Sequence, residues 1–280
     1  MIIVGGSRGM TGAVALAGLG ALRGGAGLVY LAVPQGVQPT VASLEPAYLT
    51  IPLPDESNGR LSREAQLPLA EALAGQTAVA VGPGLGRSDG LDDLVRWLYT
   101  TVELPMVVDA DGLNALATMP DALAHAPAPR ILTPHPGEFA RLIDGDVKTV
   151  QKDREKAATE FASQHGLVLV LKGHRTIITD GNRLAVNTTG NSGMATGGTG
   201  DVLTGLVTAL LGQQMDAFEA AQLGVYLHGL AGDLAAKELS KPALIASDLP
   251  RYLGAAWKKV GQSGGTVAPT TRGKNARPPT

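Results

Sequence analysis

The chain has 280 residues, 44% of them hydrophobic and 17% charged, enough to bury one large core in a single domain. A net charge of −2 with scattered Lys and Arg gives no electrostatic footprint for nucleic acid, and no apolar run approaches the roughly 20 residues of a membrane span. Cysteine is absent, which excludes disulfides, thiolate nucleophiles and Cys-ligated metals; the start M-I-I-V-G-G lacks the charged segment of a signal peptide, so a soluble cytoplasmic protein is expected.

Along the chain, short β-rich runs alternate with helical stretches. Strands are expected at Ile2–Gly6, Gly27–Val33, Tyr48–Leu53, Ala78–Gly82, Met106–Asp109, Arg130–Thr133 and Leu167–Leu171. Most are continuous apolar runs, as a parallel sheet covered on both faces requires. Helices are expected at Thr11–Arg23, Ser62–Leu73, Gly90–Thr100, Thr149–His165, Val202–Leu211 and Ala217–Lys237. This alternation predicts an α/β fold, a doubly wound and mostly parallel sheet flanked by helices on both faces. Arg175–Thr179 and Arg183–Asn187 flank Asp180-Gly181-Asn182 and predict an antiparallel hairpin. Residues 261–280 are polar, basic and rich in Gly and Pro; they are expected to form a disordered tail behind a single domain of residues 1–260.

The densest motif is N-S-G-M-A-T-G-G-T-G-D at Asn191–Asp201, which runs straight into Val202–Leu210. Gly197, Gly198 and Gly200 allow close approach of the main chain to a ligand. Val202, Leu203, Leu206, Val207 and Leu210 recur at helical spacing. The loop therefore opens into a helix whose free N–H groups and dipole make an anion site. Asp201 stands at that junction, either as a cap or as a base beside a bound phosphate, and the combination points to phosphoryl transfer.

Four further segments end strands, where such sheets bind ligands. Gly82-Pro83-Gly84-Leu85-Gly86 is either a tight turn or a surface for a ligand to lie against. Val108-Asp109-Ala110-Asp111-Gly112 offers two carboxylates; with Asp111 taken as the cap of a short helix at Gly112–Ala117, Asp109 becomes the functional candidate. In Thr133-Pro134-His135-Pro136-Gly137-Glu138 two prolines stiffen a loop from which His135 and Glu138 are expected to project, without the ligand count of a zinc site. Lys172-Gly173-His174-Arg175-Thr176 places an ammonium where nucleotide phosphates could be held.

Taken together, these segments resemble the ribokinase-like superfamily, and within it the ADP/ATP-dependent NAD(P)H-hydrate dehydratases. The resemblance covers about residues 4 to 255. It rests on G-G-S-R-G-M-T-G-A at Gly5–Ala13, A-L-R-G-G-A-G-L-V at Ala21–Val29, G-P-G-L-G at Gly82–Gly86 and V-D-A-D-G-L-N at Val108–Asn114. T-P-H-P-G-E at Thr133–Glu138, K-G-H-R-T at Lys172–Thr176 and G-G-T-G-D at Gly197–Asp201 complete it. Relatives that phosphorylate vitamin precursors usually have T-P-N-x-x-E, so His135 points to the dehydratase branch.

The resemblance implies repair of NADHX and NADPHX: the C6 hydroxyl of the damaged ring is phosphorylated and phosphate is then eliminated. ADP, the donor of most bacterial members, is the expected co-substrate, with ATP left open, and Mg²⁺ the expected metal. It implies Asp201 as base; Gly198, Thr199 and Gly200 as anion hole; and Ala13, Gly84, Gly86, His135 and Asp201 against NAD(P)HX. Lys172, Gly173, His174, Arg175, Thr176 and Gly200 would bind the nucleotide, while Glu138 and Asp109 would position Mg²⁺ through water. A homo-oligomer, with a tetramer as one form, and a separate epimerase acting on the R and S hydrates are implied as partners, since many bacterial relatives carry that epimerase upstream. Relatives usually have an H-K-G segment before the first strand, where this sequence begins at Met1-Ile2-Ile3-Val4. The competing readings are a small-molecule kinase of the hydroxyethylthiazole or pyridoxal type, against which His135 speaks, and a nucleotide-binding regulatory protein, which would need no base at Asp201.

Overall fold

The computed structural model describes residues 1–262. Nine strands form one sheet: β1 (Ile2–Val4), β2 (Tyr30–Pro34), β3 (Leu49–Leu53), β4 (Val79–Val81), β5 (Met106–Val108), β6 (Arg130–Leu132), β7 (Val168–Leu171), β8 (Ile177–Thr179) and β9 (Leu184–Val186). Their order is β3-β2-β1-β4-β5-β6-β7-β8-β9. The strands from β3 across to β7 pair in parallel, and β8 and β9 add an antiparallel edge. The chain leaves β1 in one direction through β2 and β3, then returns to β4 on its other side. That reversal opens a crevice at the carboxyl ends of β1 and β4, the usual ligand position in such sheets.

The expected alternation is present, with strands shorter than the apolar runs that mark them. Helices are α1 (Thr11–Arg23), α2 (Gln38–Ala42), α3 (Gln66–Leu73), α4 (Asp89–Thr101), α5 (Ala110–Ala117), α6 (Pro136–Leu142), α7 (Val147–Lys152), α8 (Arg154–His165), α9 (Thr199–Gly212), α10 (Ala217–Leu239) and α11 (Leu249–Gln262). The single helix expected over Thr149–His165 is two, because Asp146 and Asp153 each cap a new start with their carboxylates. α11 was hidden in the sequence, yet Leu249, Leu253 and Ala256 bury one face of it against Val202, Leu227 and Ala231. It runs through Gly261 and Gln262, so the expected tail cannot begin at Gly261; positions 263–280 lie outside the described residues.

Alternate strand residues serve opposite faces of the sheet. Ile2, Val4, Val79, Val81 and Val108 join the core beneath α3 to α6 and α8. Ile3 and Ala80 meet α1, while Val107, Ile131 and Val170 meet α9 and α10. The decisive packing for function is that of α1 against α9. A Cβ on Gly205 would stand 1.7 Å from the Ala17 carbonyl oxygen, and one on Gly20 2.2 Å from that of Val202. The two helices therefore touch backbone to backbone, and this contact holds the start of α9 over the carboxyl edge of the sheet.

Candidate active site

Gly198 occupies the N-cap of α9 in the left-handed region, at φ 94°. A side chain there would be strained, and its Cβ would lie 2.6 Å from Leu16 Cδ1. Thr199, Gly200 and Asp201 form the first turn. The Thr199 hydroxyl turns back to donate to the carbonyls of Met194 (3.0 Å) and Thr196 (2.9 Å), so this residue offers a ligand its main chain rather than its side chain. Asp201 is not the cap of the helix; that position belongs to Gly198. Burial first, and Asp109 next, push its carboxyl up to about 7, with Lys172 opposing. A carboxyl titrating there is suited to a general base near neutral pH.

The pair Asp109–Asp111 reverses the expected division of labour. Asp109 holds the N-cap position of α5, but its side chain makes no cap bond. Buried at 1% exposure, its Oδ1 accepts from Lys172 Nζ at 2.7 Å and its Oδ2 from the Thr204 hydroxyl at 2.6 Å. Asp111, expected as the cap, sits in the first turn and reaches across to the Gly86 amide, 2.8 Å from its Oδ2. It thereby ties the glycine loop after β4 to α5.

Lys172 follows β7 and crosses the end of β6 to reach Asp109, with Glu138 Oε2 at 3.8 Å. Burial works against its charge, but Asp109 and Glu138 outweigh burial and raise its pKa above the ordinary lysine value. Its Nζ stands 3.3 Å from where a Cβ on Gly200 would be, directly under the turn that carries Asp201. The ammonium expected to hold phosphates is thus committed to carboxylates.

His135 caps α6: its Nδ1 accepts from the amides of Gly137 (3.0 Å) and Glu138 (3.2 Å). Burial, Lys172 and Arg141 lower its pKa, keeping that nitrogen free to accept. Glu138 does not project as expected. It is buried, and its Oε2 accepts from the His135 amide at 2.8 Å, completing a capping box. Burial raises its pKa against the pull of Lys172.

Direct ligation of a magnesium ion by these acids does not fit. Both oxygens of Asp109 are taken, Glu138 Oε2 is bonded to an amide, and the Lys172 ammonium fills the space a cation would occupy between them. Among the described residues no three His, Cys, Asp or Glu side chains gather to hold a metal.

Ala13 and Gly84 stand together at the carboxyl end of the sheet, where a Cβ on Gly84 would lie 3.0 Å from that of Ala13. A cavity of about 490 Å³ is lined by Lys172 to Thr176, Thr199, Gly200 and Leu203. The expected nucleotide residues are therefore gathered in one place, with His174 and Arg175 on its exposed rim.

Three participants escaped the sequence reading. Thr204 bridges Asp109 to the Gly200 carbonyl (3.1 Å). His228 donates from Nε2 to the Thr199 carbonyl at 2.8 Å, and burial drives its pKa down to about 4. Asp233 accepts from the Gly190 amide at 2.9 Å and from Asn191, holding the far wall of the cavity. Their signal was a polar residue at a core position of an apolar helix, in T-G-D-V-L-T and in H-G-L-A-G-D.

Fold and site define an α/β protein with a ribokinase-like fold, with a glycine-rich helix start at the carboxyl edge. The chain belongs to the NAD(P)H-hydrate dehydratase family, whose sequence profile matches residues 1–254. It is 48% identical over 255 residues to the bifunctional NAD(P)H-hydrate repair enzyme Nnr of Moorella thermoacetica, an alignment covering 90% of this chain and 48% of that protein. The chain spans about half the length of the curated relatives it matches. The ADP/ATP-dependent NAD(P)H-hydrate dehydratase of Bacillus subtilis, co-crystallised with ATP and Mg²⁺, superposes with a TM-score of 0.76 at 34% identity, covering 92% of this chain and 90% of that one. Hydroxyethylthiazole kinase from Pyrococcus horikoshii shares the fold alone, at 15% identity and a TM-score of 0.62 over 93% of this chain and 99% of that one. No helix among the described residues is long and apolar enough to cross a membrane.

Proposed function

We propose that the protein is an ADP- or ATP-dependent (S)-NAD(P)H-hydrate dehydratase, a carbon–oxygen lyase that returns NADHX and NADPHX to NADH and NADPH. The observation that carries the reading is Asp201, a half-buried carboxyl titrating at about 7 on the first turn of α9, next to Gly200, which lines the cavity. A nucleotide in the cavity presents its terminal phosphoryl group to the amides of Gly198, Thr199 and Gly200, which stabilise the charge that develops on its oxygens. The substrate approaches from the glycine-loop side, between Ala13, Gly84, Gly86 and His135. Asp201 takes the proton of the C6 hydroxyl as its oxygen bonds to phosphorus and the bond to the nucleotide breaks. Phosphate, a far better leaving group than hydroxide, then departs from C6 with the C–O electron pair, while C5 gives up a proton to water and its C–H pair becomes the C5=C6 double bond of the dihydropyridine. Lys172 keeps the carboxylates around Asp201 from repelling one another and the incoming phosphates.

ADP is the proposed donor, with ATP the alternative. Magnesium would come with the nucleotide, touching Glu138 and Asp109 only through water, and no step above depends on it. A homo-oligomer and an epimerase activity supplying the S hydrate complete the proposal. The test is to follow nicotinamide absorbance after adding ADP or ATP with Mg²⁺ to purified protein and (S)-NADHX. NADH should appear. Phosphorylation of hydroxyethylthiazole or pyridoxal without any NADH from NADHX would overturn the reading.

A further inference from the structure

Two arginines on the glycine-loop rim have no carboxylate partner. Arg8 follows Ser7, whose buried hydroxyl donates to the Gly84 carbonyl at 2.8 Å, and the Arg8 amide donates to the Gly59 carbonyl at 3.0 Å. Gly59, at φ 78°, lies against the Arg8 side chain: a Cβ there would stand 2.6 Å from Arg8 Cβ and 3.1 Å from its Nε. Arg60 comes next. Its Nη1 donates to the Arg87 carbonyl at 2.8 Å, and its Nε stands 2.8 Å from where a Cβ on Gly86 would be. The Arg60 side chain is thus braced by the Arg87 carbonyl, while the exposed Arg8 side chain lies against Gly59 with its backbone anchored there. Neither forms an ion pair among the described residues, whereas Arg63 and Arg96 nearby pair with Asp93 and Asp121.

Gly86 links this rim to the reacting centre, because its amide holds Asp111, one of the charges that raises Asp201. The cavity beyond α9 includes neither Arg8 nor Arg60, so the nucleotide phosphates have their own partners elsewhere. Two guanidinium groups without carboxylate partners among the described residues, one of them braced, beside the loop that holds Asp111 suit a second anionic ligand. Guanidinium forks match phosphate oxygens better than any other side chain does.

We propose that Arg8 and Arg60 form a receptor for a phosphate group of the dinucleotide substrate, either its diphosphate or the 2′-phosphate that distinguishes NADPHX. The proposal rests on the dehydratase reading. A dinucleotide whose damaged ring reaches Asp201 would trail its phosphates over Gly86 and Gly59, onto these side chains.

The test is calorimetric titration of the full chain and its Arg8→Gln, Arg60→Gln and doubly substituted variants with NAD⁺, NADP⁺ and ADP, alongside turnover of NADHX. Each substitution should weaken dinucleotide binding about tenfold, the scale of one lost charge-assisted hydrogen bond, and leave ADP within about twofold. Equal loss for NAD⁺ and NADP⁺ assigns the diphosphate; loss for NADP⁺ alone assigns the 2′-phosphate. Arg60→Lys separates charge from bracing, since it should retain much of the affinity that Arg60→Gln loses. Dinucleotide affinities of the double variant within about twofold of the parent, in a parent that turns over NADHX, would overturn the receptor alone. A parent that neither binds a dinucleotide nor turns over NADHX would overturn the dehydratase reading and the receptor together.

Discussion

Lys172 Nζ and Asp109 Oδ1 lie 2.7 Å apart, joining the carboxyl ends of β7 and β5 across 63 residues of sequence. Asp109 is fully buried and Lys172 largely so, so each charge depends on the other. Lys172→Met would leave Asp109 charged and without its partner, at a cost of about 3–5 kcal/mol, measurable by chemical denaturation. Because Lys172 also lowers the Asp201 pKa, its loss should move the pH–rate profile to higher pH. Adding Asp109→Asn should recover part of the stability. Unchanged stability in the single variant would mean that the pair contributes nothing.

Asp201→Asn should lower kcat by about 10²–10⁴, the usual cost of losing a general base, with nucleotide affinity retained. In the parent, kcat/KM should rise with pH through about 7 and then level, as the carboxyl of the free enzyme loses its proton. The raised pKa has a sign for stability too. The folded state holds this proton more tightly than the unfolded chain, so ionisation weakens folding as pH rises from the ordinary aspartate range through about 7. At pH 8 the Asn variant should therefore melt above the parent, by roughly 5 °C. A kcat within about threefold of the parent would remove Asp201 from the chemistry.

His228 is neutral in the fold, with a pKa near 4 against an ordinary 6.5. Below 6.5 the unfolded chain takes up a proton that the folded state refuses until about 4, so stability falls across that window, by up to about 1.4 kcal/mol per pH unit from this group. His135 and His165, both lowered chiefly by burial, tilt the same way. His228→Gln keeps a donor for the Thr199 carbonyl but cannot titrate. Its melting temperature should fall less steeply between pH 6.5 and 4 than that of the parent, and parallel curves would remove His228 as a source of the slope.

Gly205→Ala forces a methyl group to within 1.7 Å of the Ala17 carbonyl oxygen unless α1 and α9 move apart. Separation should cost roughly 2–3 kcal/mol and displace the helix that carries Asp201. Activity should drop further than the remaining folded fraction accounts for. Full stability with full activity would show that the crossing tolerates spreading.

Much of this protein was legible in its sequence because the signals are local. Apolar runs such as Val79–Val81 declare a strand buried on both faces, and the glycines before Asp201 declare a tight helix start, whatever lies around them. The hairpin at Asp180-Gly181-Asn182 formed as its turn residues demand, with the Asp180 carboxylate accepting from the Asn182 amide at 2.9 Å. The break at Asp153 was missed, since helical periodicity continues across it while a cap ends it.

Partners were another matter. Asp109 and Asp111 look interchangeable in V-D-A-D-G, and only the packed sheet turns one toward Lys172 and the other toward Gly86. Thr204 meets Asp109 across 95 residues and His228 meets Thr199 across 29, distances over which sequence pattern says nothing of side-chain direction. Sequence alone determined the order of elements and the loops that carry the chemistry, because backbone preference and apolar period act within a few residues. Tertiary structure decided which charges neutralise one another and which carboxyl remains near pH 7. Those outcomes depend on burial and on distances between side chains from separate strands, and they exist only once the sheet has closed.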